Sequence, residues 1–460
     1  MKRKAIITLL ALTCVTSLAL SLAACTDNGS TQTGGGNKPS GGGQQPNYTP
    51  SDDGKSELFE FKLNEDESGY IVTGLADGVT DANIKIPATY NSLPVVEIGE
   101  RAFGSCHSLT SVTIAEGVSI IGSGAFTDCI NIPSFKFPAS LTVISDSAFQ
   151  NCRGLRTLYF NGTSKLETIS ANAFQNCTSL NGIDIPDSVV TVGDRVFQNC
   201  SALKTVAIGN SVETIGTETF RECSELKTVT IGSSLKEVGA RAFLNCNKIT
   251  EVNFPDTLEK VGLGALKGCT AIKKLTIPFV GSQKYDEPVP DSEVKTSEIH
   301  TNFGYIFGAN NFDDHYSLNL DALETLIITG DSPIGYHAFQ SIGRWTDEFG
   351  LEAVGLSTII ITGNVKVFGI GAFQGCYNLR SIVIPKSITK IGGQALGECL
   401  IEHIFYCGTA WDWLKVDIGT SEDNPILYPN TYKYYYSETA PSTDGKYWHY
   451  VDGMPEIWTK

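Results

Sequence analysis

Residues 148–152 read AFQNC, residues 173–177 repeat the same five letters, and residues 196–200 read VFQNC. The cysteine of this word recurs along the chain in steps of 23 residues, apart from one step of 25 and one long gap. It occupies Cys106, Cys129, Cys152, Cys177, Cys200, Cys223, Cys246, Cys269, Cys376 and Cys399. A fixed period of this length is the sequence signature of a repeat architecture. The recurring word therefore predicts the fold, and it does not by itself indicate a catalytic or metal-binding role.

Each cysteine precedes a run in which apolar and polar residues alternate. Leu226, Val229 and Ile231 show the pattern L-x-x-V-x-I, which resembles the strand signature of a leucine-rich repeat. Alternation predicts a β-strand with one buried face, and regularly spaced copies predict parallel neighbours. The other half of each coil, such as residues 212–220, carries a second apolar pair, a turn glycine and an inward phenylalanine. Because one coil cannot bury its own apolar face, stability must come from stacking.

The predicted fold class is therefore a repeat solenoid. We expect a leucine-rich repeat with coils of about 23 residues, a parallel β-sheet on one face, and short strands and turns on the other. The first block of repeats covers 95–278 and the second covers 320–407, with an insertion at 279–319 between them. Residues 58–94 predict an N-terminal β cap, and residues 408–460 predict an aromatic-rich C-terminal cap. At ~4.8 Å per stacked strand, the coils predict a rod or shallow arc of roughly 50 Å.

The N-terminal residues 1–24 have the composition of a signal peptide. A basic head at 2–4 precedes an apolar run, which ends in small residues before Cys25. The word LAAC resembles a bacterial lipobox, which implies that Cys25 becomes a lipidated N-terminus. Residues 25–57 then form a polar, glycine-rich linker with a root-mean-square reach of roughly 30 Å. We expect an exported protein, lipid-anchored at the bacterial cell surface, and an uncleaved membrane anchor is the alternative.

The full repeat word resembles that of a known family. The pattern IG-x-x-AF-x-x-C-x-x-L-x-x-V-x-IP, seen at 169–186, resembles the BspA-like class of bacterial leucine-rich-repeat surface proteins. The resemblance covers about 95–407. It implies a non-enzymatic surface protein, and several family members are described as adhesins for host matrix proteins or other cells. It implies no catalytic residues.

Two interpretations of the cysteine row remain open at this point. We favour a reduced, buried ladder, since free cysteine is among the most buried residue types. Disulfides between neighbouring coils are the alternative, because strands ~4.8 Å apart fall within the range that a bridge tolerates. A zinc site would need paired C-x-x-C spacing, and the chain has none. A catalytic cysteine would need a histidine partner, and His107 adjoins Cys106 in one copy only.

The remaining patterns favour no enzyme, cofactor or metal. The acidic pairs Asp313-Asp314 and Asp347-Glu348 could bind Ca²⁺ or act as glycosidase carboxylates, but solvated loop charge is the simpler interpretation. A formal charge of −16 argues against nucleic acid as a partner, because phosphates need a basic surface.

A basic stripe is a local exception to this acidic composition. The residue after the first strand leucine is basic in five copies, namely Arg156, Lys204, Lys227, Lys273 and Arg380. Because the copies are in register, these residues should line one edge of the parallel sheet. Salt bridges with neighbouring loops are one interpretation. An anionic partner, such as an acidic glycan or protein segment, is the other.

The C-terminal segment is the second candidate site, through Trp411, Trp413 and Trp448. Exposed rings would bind sugars or protein partners, whereas buried rings would close the solenoid. Our first hypothesis is a non-catalytic surface lipoprotein that binds a macromolecular partner through its solenoid, in adhesion or surface interaction. The alternative is a carbohydrate-binding lipoprotein that acts through these aromatics. The expected partner is an extracellular protein or glycan, such as a component of host matrix, and the expected state is a monomer that contacts the membrane through its lipid only.

Overall fold

The structure is a computed structural model that describes residues 56–285, 301–310, 314–315, 318–342, 344–345, 353–420, 426, 432–442 and 446–459. The predictions for residues 1–55, which include the signal peptide and lipidation at Cys25, lie outside the described residues. The same holds for Asp313 and for the pair Asp347-Glu348.

The N-terminal part contributes a short 3-10 helix at Ser56–Leu58 and five strands. These are β1 Phe59–Leu63, β2 Tyr70–Leu75, β3 Asn83–Ile86, β4 Thr89–Tyr90 and β5 Leu93–Ile98. β1 pairs with β2 and β4 pairs with β5, both antiparallel, whereas β2 pairs in parallel with β5. The rings of Phe61 and Tyr90 stack 4.0 Å apart beside these pairs. An aromatic hairpin therefore lies at the N-terminal end of the sheet.

The first block alternates strands of three or four residues with strands of two. They are β6 Ser111–Ile114, β7 Ile120–Ile121, β8 Ser134–Lys136, β9 Val143–Ile144, β10 Thr157–Tyr159, β11 Thr168–Ile169, β12 Gly182–Asp184, β13 Thr191–Val192, β14 Thr205–Ala207, β15 Thr214–Ile215, β16 Thr228–Thr230, β17 Glu237–Val238, β18 Glu251–Asn253, β19 Lys260–Val261 and β20 Lys274–Ile277. We call the face that carries the longer, even-numbered strands the strand face. The face that carries the two-residue strands is the return face.

The second block and the C-terminal segment complete the chain. Their strands are β21 Thr325–Ile328, β22 Arg344–Trp345, β23 Ala353–Val354, β24 Thr358–Ile361, β25 Val367–Phe368, β26 Ser381–Ile384, β27 Lys390–Ile391, β28 His403–Tyr406, β29 Asp417–Ile418, β30 Tyr432–Tyr436, β31 Tyr447–Val451 and β32 Met454–Ile457. A 3-10 helix at Phe303–Phe307 precedes β21, and α1 at Ala410–Trp413 connects β28 to β29.

Both faces of the coil stack are parallel sheets built from successive coils. On the return face, the strands from β5 to β19 pair in chain order, and β25, β27 and β29 pair in the same way. On the strand face, β12, β14 and β16 form one ladder, and a longer ladder runs from β18 through β20, β21, β24, β26 and β28 to β30. The predicted fold class is therefore confirmed. The two-residue return strands form a more continuous sheet than their length suggests.

A stack of phenylalanine rings runs through the interior of the first block. Consecutive ring centroids lie 5.1–5.5 Å apart and the ring planes are within 15° of parallel. The rings belong to Phe103, Phe126, Phe149, Phe174, Phe197, Phe220 and Phe243, all of them buried. Phe339 and Phe373 stack likewise at 5.1 Å in the second block. The recurring phenylalanine is thus the core of each coil.

The array begins before its predicted start at residue 95. β3 pairs in register with β6, with Ile84 opposite Val112 and Ile86 opposite Ile114. Residues 83–86 therefore already form the strand half of a coil inside the predicted N-terminal cap. The sequence analysis missed this coil because no cysteine or phenylalanine word precedes it.

The predicted insertion at 279–319 contains most of a coil. Backbone hydrogen bonds attach it to the neighbouring coils on both sides: Val261 N–H donates to the Ser282 carbonyl at 2.7 Å, Leu266 N–H to Ile306 at 2.8 Å, and Phe303 N–H to Ala338 at 2.9 Å. Phe303, Ile306 and Phe307 are buried where a regular coil places its phenylalanine. Among the described residues of this range, a 3-10 helix therefore takes the place of the usual phenylalanine word in the stack.

Candidate functional site

The cysteine of each coil is buried and donates a hydrogen bond to the backbone. In nine coils the Sγ–H group donates to the carbonyl oxygen of the preceding coil's phenylalanine, at 3.0–3.3 Å. The eleven cysteines within the described ranges are thiols rather than halves of disulfides. The structure therefore contains the buried ladder and none of the bridges between coils.

Burial also makes these thiols poor nucleophiles and poor metal ligands. It raises the pKa of the Cys152 and Cys200 thiols to about 12, and it raises the pKa of Cys177 well above the ordinary value. The thiolate is the form that attacks substrates and binds metals, so these residues are unsuited to either task near neutral pH. No three His, Cys, Asp or Glu side chains in the described part of the chain are grouped to hold a metal ion.

The five predicted basic residues share one backbone register along an edge of the strand face. Backbone N–H groups donate to carbonyls one coil earlier, from Asn181 to Arg156, Lys204 to Asn181, Lys227 to Lys204, Lys273 to Thr250, Glu324 to Lys273, Ser357 to Glu324, Arg380 to Ser357 and Glu402 to Arg380. We call these ten residues the edge row. The structure thus brings the predicted stripe together, and it adds Glu324 and Glu402 to it.

The edge row divides into a neutralised part and a cationic part. Lys273 Nζ lies 3.2 Å from Glu324 Oε1, and Arg380 Nε lies 3.6 Å from Glu402 Oε1. Arg156, Lys204 and Lys227 are exposed, and none of them has an ion pair within 4 Å among the described residues. The salt-bridge interpretation therefore applies to Lys273 and Arg380, and the anionic partner stays a prediction for Arg156, Lys204 and Lys227.

Glu225 is within the electrostatic influence of Lys204 and Lys227 but does not neutralise them. The pKa of Glu225 is lowered, first by the hydrogen bond from the Lys248 side chain and then by the charges of Lys248, Lys227 and Lys204. Glu225 forms its ion pair with Lys248. Lys204 and Lys227 consequently act on it only at longer range, and their ammonium groups remain available to a partner.

The outward positions beside the edge row are mostly small or polar. Thr157, Thr205 and Thr228 occupy the same outward position in β10, β14 and β16, and Gly182 occupies it in β12 between them. Tyr159, at the end of β10, is 55% exposed. The sequence analysis did not single out this residue. The signal that could have revealed it is a large aromatic at an outward position that carries Lys136, Asp184, Ala207, Thr230 or Asn253 in other copies.

The three predicted tryptophans have different environments, which corrects part of that prediction. Trp411, in α1, is 77% exposed, but Trp413 is 8% exposed and Trp448 is fully buried. Trp448 Nε1–H donates to the Tyr406 carbonyl at 3.0 Å. Trp413 packs edge-on against the Tyr406 ring, with ring centroids 5.0 Å apart. Neither buried ring has the open face that stacking on a ligand requires, so Trp411 alone of the three retains that property.

The β31–β32 hairpin covers one end of the strand face. Trp448 packs against Phe405, and together with Ile360 and Val383 these residues form a second buried cluster on the outer side of the sheet. The corresponding outward residues of the first block, such as Ala207, Thr230 and Asn253, are not part of such a cluster. The open part of the strand face therefore coincides with the cationic part of the edge row.

Comparison with known proteins identifies one protein family and several related structures. Residues 82–204, 190–319 and 323–410 match the family model described as BspA type leucine rich repeat region, in six copies. These matches together cover well over half of the chain. No curated protein matched the sequence.

Solved structures with similar coils come from several bacteria. A leucine-rich repeat protein from Bacteroides ovatus is 20% identical, with 84% of this chain and 94% of that chain covered and a TM-score of 0.42. A leucine rich cell surface protein from Faecalibacterium prausnitzii is 23% identical, with 79% and 97% covered and a TM-score of 0.39. The leucine rich repeat protein of T. pallidum is 27% identical, with 43% and 90% covered and a TM-score of 0.40.

Proposed function

Because this chain belongs to the BspA-type leucine-rich-repeat family, we propose that it is a non-catalytic surface protein that binds a macromolecular partner through its strand face. Proteins of this class are typically found at the cell surface, generally lack enzymatic activity, and mediate binding to other proteins. The proposal adds a surface to that general role. One observation carries it: Arg156, Lys204 and Lys227 project unneutralised from an open sheet of a protein whose net charge is −16.

Electrostatic complementarity is the physical reason for assigning the partner to this surface. Exposed charges of one sign raise the association rate with an oppositely charged partner, and salt screens the effect over about 10 Å at 0.1 M. The acidic remainder of the protein repels anionic partners. Electrostatic attraction therefore favours association of such a partner with the cationic part of the edge row.

Charge reversal on the edge row tests this proposal. We expect the triple variant Arg156→Glu, Lys204→Glu, Lys227→Glu to lose most of its capture of matrix components or cell-wall glycans in a pull-down with the purified chain. The matched control reverses three exposed lysines outside the edge row, Lys165, Lys260 and Lys390, and should capture as the unmodified chain does. If the edge-row variant retained its partners, the proposed surface would be wrong.

We further propose that the chain is exported and anchored by lipid at Cys25. The signal-like composition of residues 1–24 and the LAAC word support this proposal. Among the described residues, no helix has both the length and the apolar character to cross a membrane. Cys25→Ala should abolish incorporation of labelled lipid and release the protein from the membrane fraction, whereas Cys14→Ala should change neither. Labelling that persisted in Cys25→Ala would contradict the proposal.

A second candidate surface is the neighbourhood of Trp411. Trp411 and Leu414 are 77% and 74% exposed, and Lys386 Nζ lies 3.4 Å from Asp412 Oδ2 in the same short helix. Lys386 also lines a cleft of about 300 Å³ together with Asn364 and Tyr450. An exposed indole beside polar groups is typical of sugar binding. Loss of glycan capture by the Trp411→Ala variant, with the edge row intact, would favour this surface.

A further inference from the structure

The open strand face carries an exposed ring, Tyr159, near a strand position without a side chain, Gly182. Gly182 occupies the outward position of β12 opposite Thr205 of β14. Its backbone neighbours fix its place in the stack, because Asn181 N–H donates to the Arg156 carbonyl at 3.2 Å and Lys204 N–H donates to the Asn181 carbonyl at 2.8 Å. Gly182 therefore leaves a gap between the coil of Arg156 and the coil of Lys204.

A glycine inside a strand needs an explanation, since it weakens the strand and offers no side chain to pack. Three common reasons are a bulge, a bend, or the close approach of a ligand or another backbone. The register of β12 with β14 has no shift, so there is no bulge. A Cβ atom at Gly182 would lie 2.7 Å from Thr205 Oγ1 and would meet no other atom within 3.5 Å. The space above Gly182 is thus open except for one hydroxyl group.

The ladder of the strand face is interrupted beside this position. The ladder of the strand face breaks between β10 and β12, which belong to different sheets although they are neighbours in the stack. The coil that starts at Cys152 is also two residues longer than the standard 23. The gap at Gly182 therefore lies beside this interruption, between Thr157 and Thr205, with Tyr159 two residues further along β10 than Thr157.

The side chains around the gap combine three kinds of contact. Tyr159 supplies an exposed aromatic face, Thr205 supplies an exposed hydroxyl, and Arg156 and Lys204 supply positive charge at one end. Aromatic faces pack on the C–H face of a sugar ring, hydroxyls bond to sugar hydroxyls, and cations bind carboxylates. We infer that this gap is a subsite for a carboxylate-bearing sugar residue of an extended acidic glycan.

The charges also fix the orientation of such a sugar. Asp184 is exposed and lies two residues beyond Gly182, at the opposite end of the gap from Arg156 and Lys204. The carboxylate of the sugar therefore faces the edge row, and its ring lies over Gly182 beside Tyr159. Lys227, one coil further along the edge row, would contact the next acidic sugar of the same glycan. An acidic peptide would bind the same cations, but it would not require the Tyr159 ring or the absence of a side chain at Gly182.

This inference rests on the proposed function, since it requires the strand face to be the binding surface, and it names the partner class. The test is an array of uronic-acid and sialic-acid oligosaccharides, with neutral oligosaccharides of equal length and an oligoglutamate peptide, probed with the full chain. We expect retention of carboxylate-bearing glycans only. Tyr159→Ala and Gly182→Val should each weaken that binding about tenfold or more, because one removes the ring contact and the other fills the gap.

Matched variants separate the subsite from general damage. Tyr159→Phe keeps the ring and should bind as the unmodified chain does. Gly162→Ala adds a methyl group in open space, with no atom within 4 Å, and should change neither binding nor the urea midpoint. A Gly182→Val protein with an unaltered urea midpoint and weakened binding would support the subsite.

The outcomes also distinguish this inference from the proposed function. If no acidic glycan binds, or if Tyr159→Ala and Gly182→Val bind as the unmodified chain does, the subsite is wrong. The same holds if oligoglutamate competes as well as the glycans do. Loss of partner capture in the edge-row triple variant would in those cases still support the proposed function. A different outcome is that Tyr159→Ala weakens glycan binding while the triple variant captures its partners as the unmodified chain does. That outcome would support the subsite and contradict the proposed surface for macromolecules.

Discussion

At the scale of single residues, every letter of AFQNC has a structural task. In the coil at 173–177, Ala173 and Phe174 are buried and Cys177 donates to the preceding coil. Asn176 has φ of 61°, a left-handed conformation that asparagine tolerates better than most residues. Its side chain also donates to the Asn151 side chain at 2.8 Å. The phenylalanine and cysteine therefore recur because they fill the core of the stack, whereas the residue before the cysteine varies, as in Asp128, Glu222 and Gly268.

The sequence predicted the phenylalanine and cysteine ladders but not these asparagine contacts. Spacing reveals which residues recur, and burial then follows from apolar character. A left-handed turn residue and a thiol–carbonyl hydrogen bond depend on the backbone path between coils, which the period alone does not specify. For the same reason, Tyr159 and Gly182 could be recognised only once their outward positions were known.

The buried thiols make stability depend on pH in the alkaline range. Their folded pKa is raised to about 12 in Cys152 and Cys200, from an ordinary value of 9.0. The stabilisation is therefore complete below pH 9 and declines as pH rises from 9 towards 12, because unfolded thiols lose protons that folded thiols keep. We expect a fall of up to about 1.4 kcal/mol per pH unit for each such thiol.

Urea unfolding at several pH values above 8.5 measures this decline. The Cys200→Ala variant removes one raised thiol, so its free energy of unfolding should fall less steeply with pH than that of the unmodified chain. Identical slopes for the two proteins would show that this thiol titrates normally in the folded state.

At the scale of elements, the unexpected feature is the hairpin of β31 and β32. The sequence analysis predicted an aromatic cap for residues 408–460, without indicating which rings would be buried. The outward residues Ile360, Val383 and Phe405 were the missing signal, because alternation predicts polar residues at these positions. Three apolar residues in consecutive coils require a cover, and Trp448 provides it.

Removing that cover should detach the hairpin. Trp448→Ala loses the packing against Phe405 and the hydrogen bond to Tyr406. We expect a loss of about 3–5 kcal/mol in the free energy of unfolding, as for other large buried aromatics. Limited proteolysis should then cut near residue 446, and a hydrophobic dye should bind the uncovered sheet.

Trp411→Ala is the control for this experiment, since Trp411 is exposed. Its stability should change by no more than about 0.5 kcal/mol. Equal stability of the two variants would mean that the hairpin does not depend on Trp448.

At the scale of the whole molecule, the coil spacing on the return face is limited by backbone contact. Gly193, Gly216, Gly239 and Gly262 follow the two-residue strands of successive coils. A Cβ atom at Gly216 would lie 2.4 Å from the carbonyl carbon of Gly193 and 2.6 Å from the Asp194 nitrogen. Neither backbone atom can move unless the coils separate.

We therefore expect Gly216→Ala to destabilise the chain by at least about 2 kcal/mol, as overpacking in a rigid contact does. Urea unfolding measures the effect. Gly162→Ala is the matched control, with an expected change within about 0.5 kcal/mol. A neutral Gly216→Ala would show that the return face can widen without loss. Because each coil contacts only its neighbours, we expect the damage to reach the adjacent coils first.

The thiol ladder has a consequence for how such an array can change in length. Each cysteine uses a backbone carbonyl of the coil before it, so no cysteine depends on the presence of another cysteine. A disulfide scaffold must gain or lose cysteines in pairs, and it must find the correct pairing as it folds. Here the chain can gain or lose a single coil of 23 residues, because the total number of cysteines does not have to be even. Each remaining cysteine can still donate to the carbonyl of the coil before it.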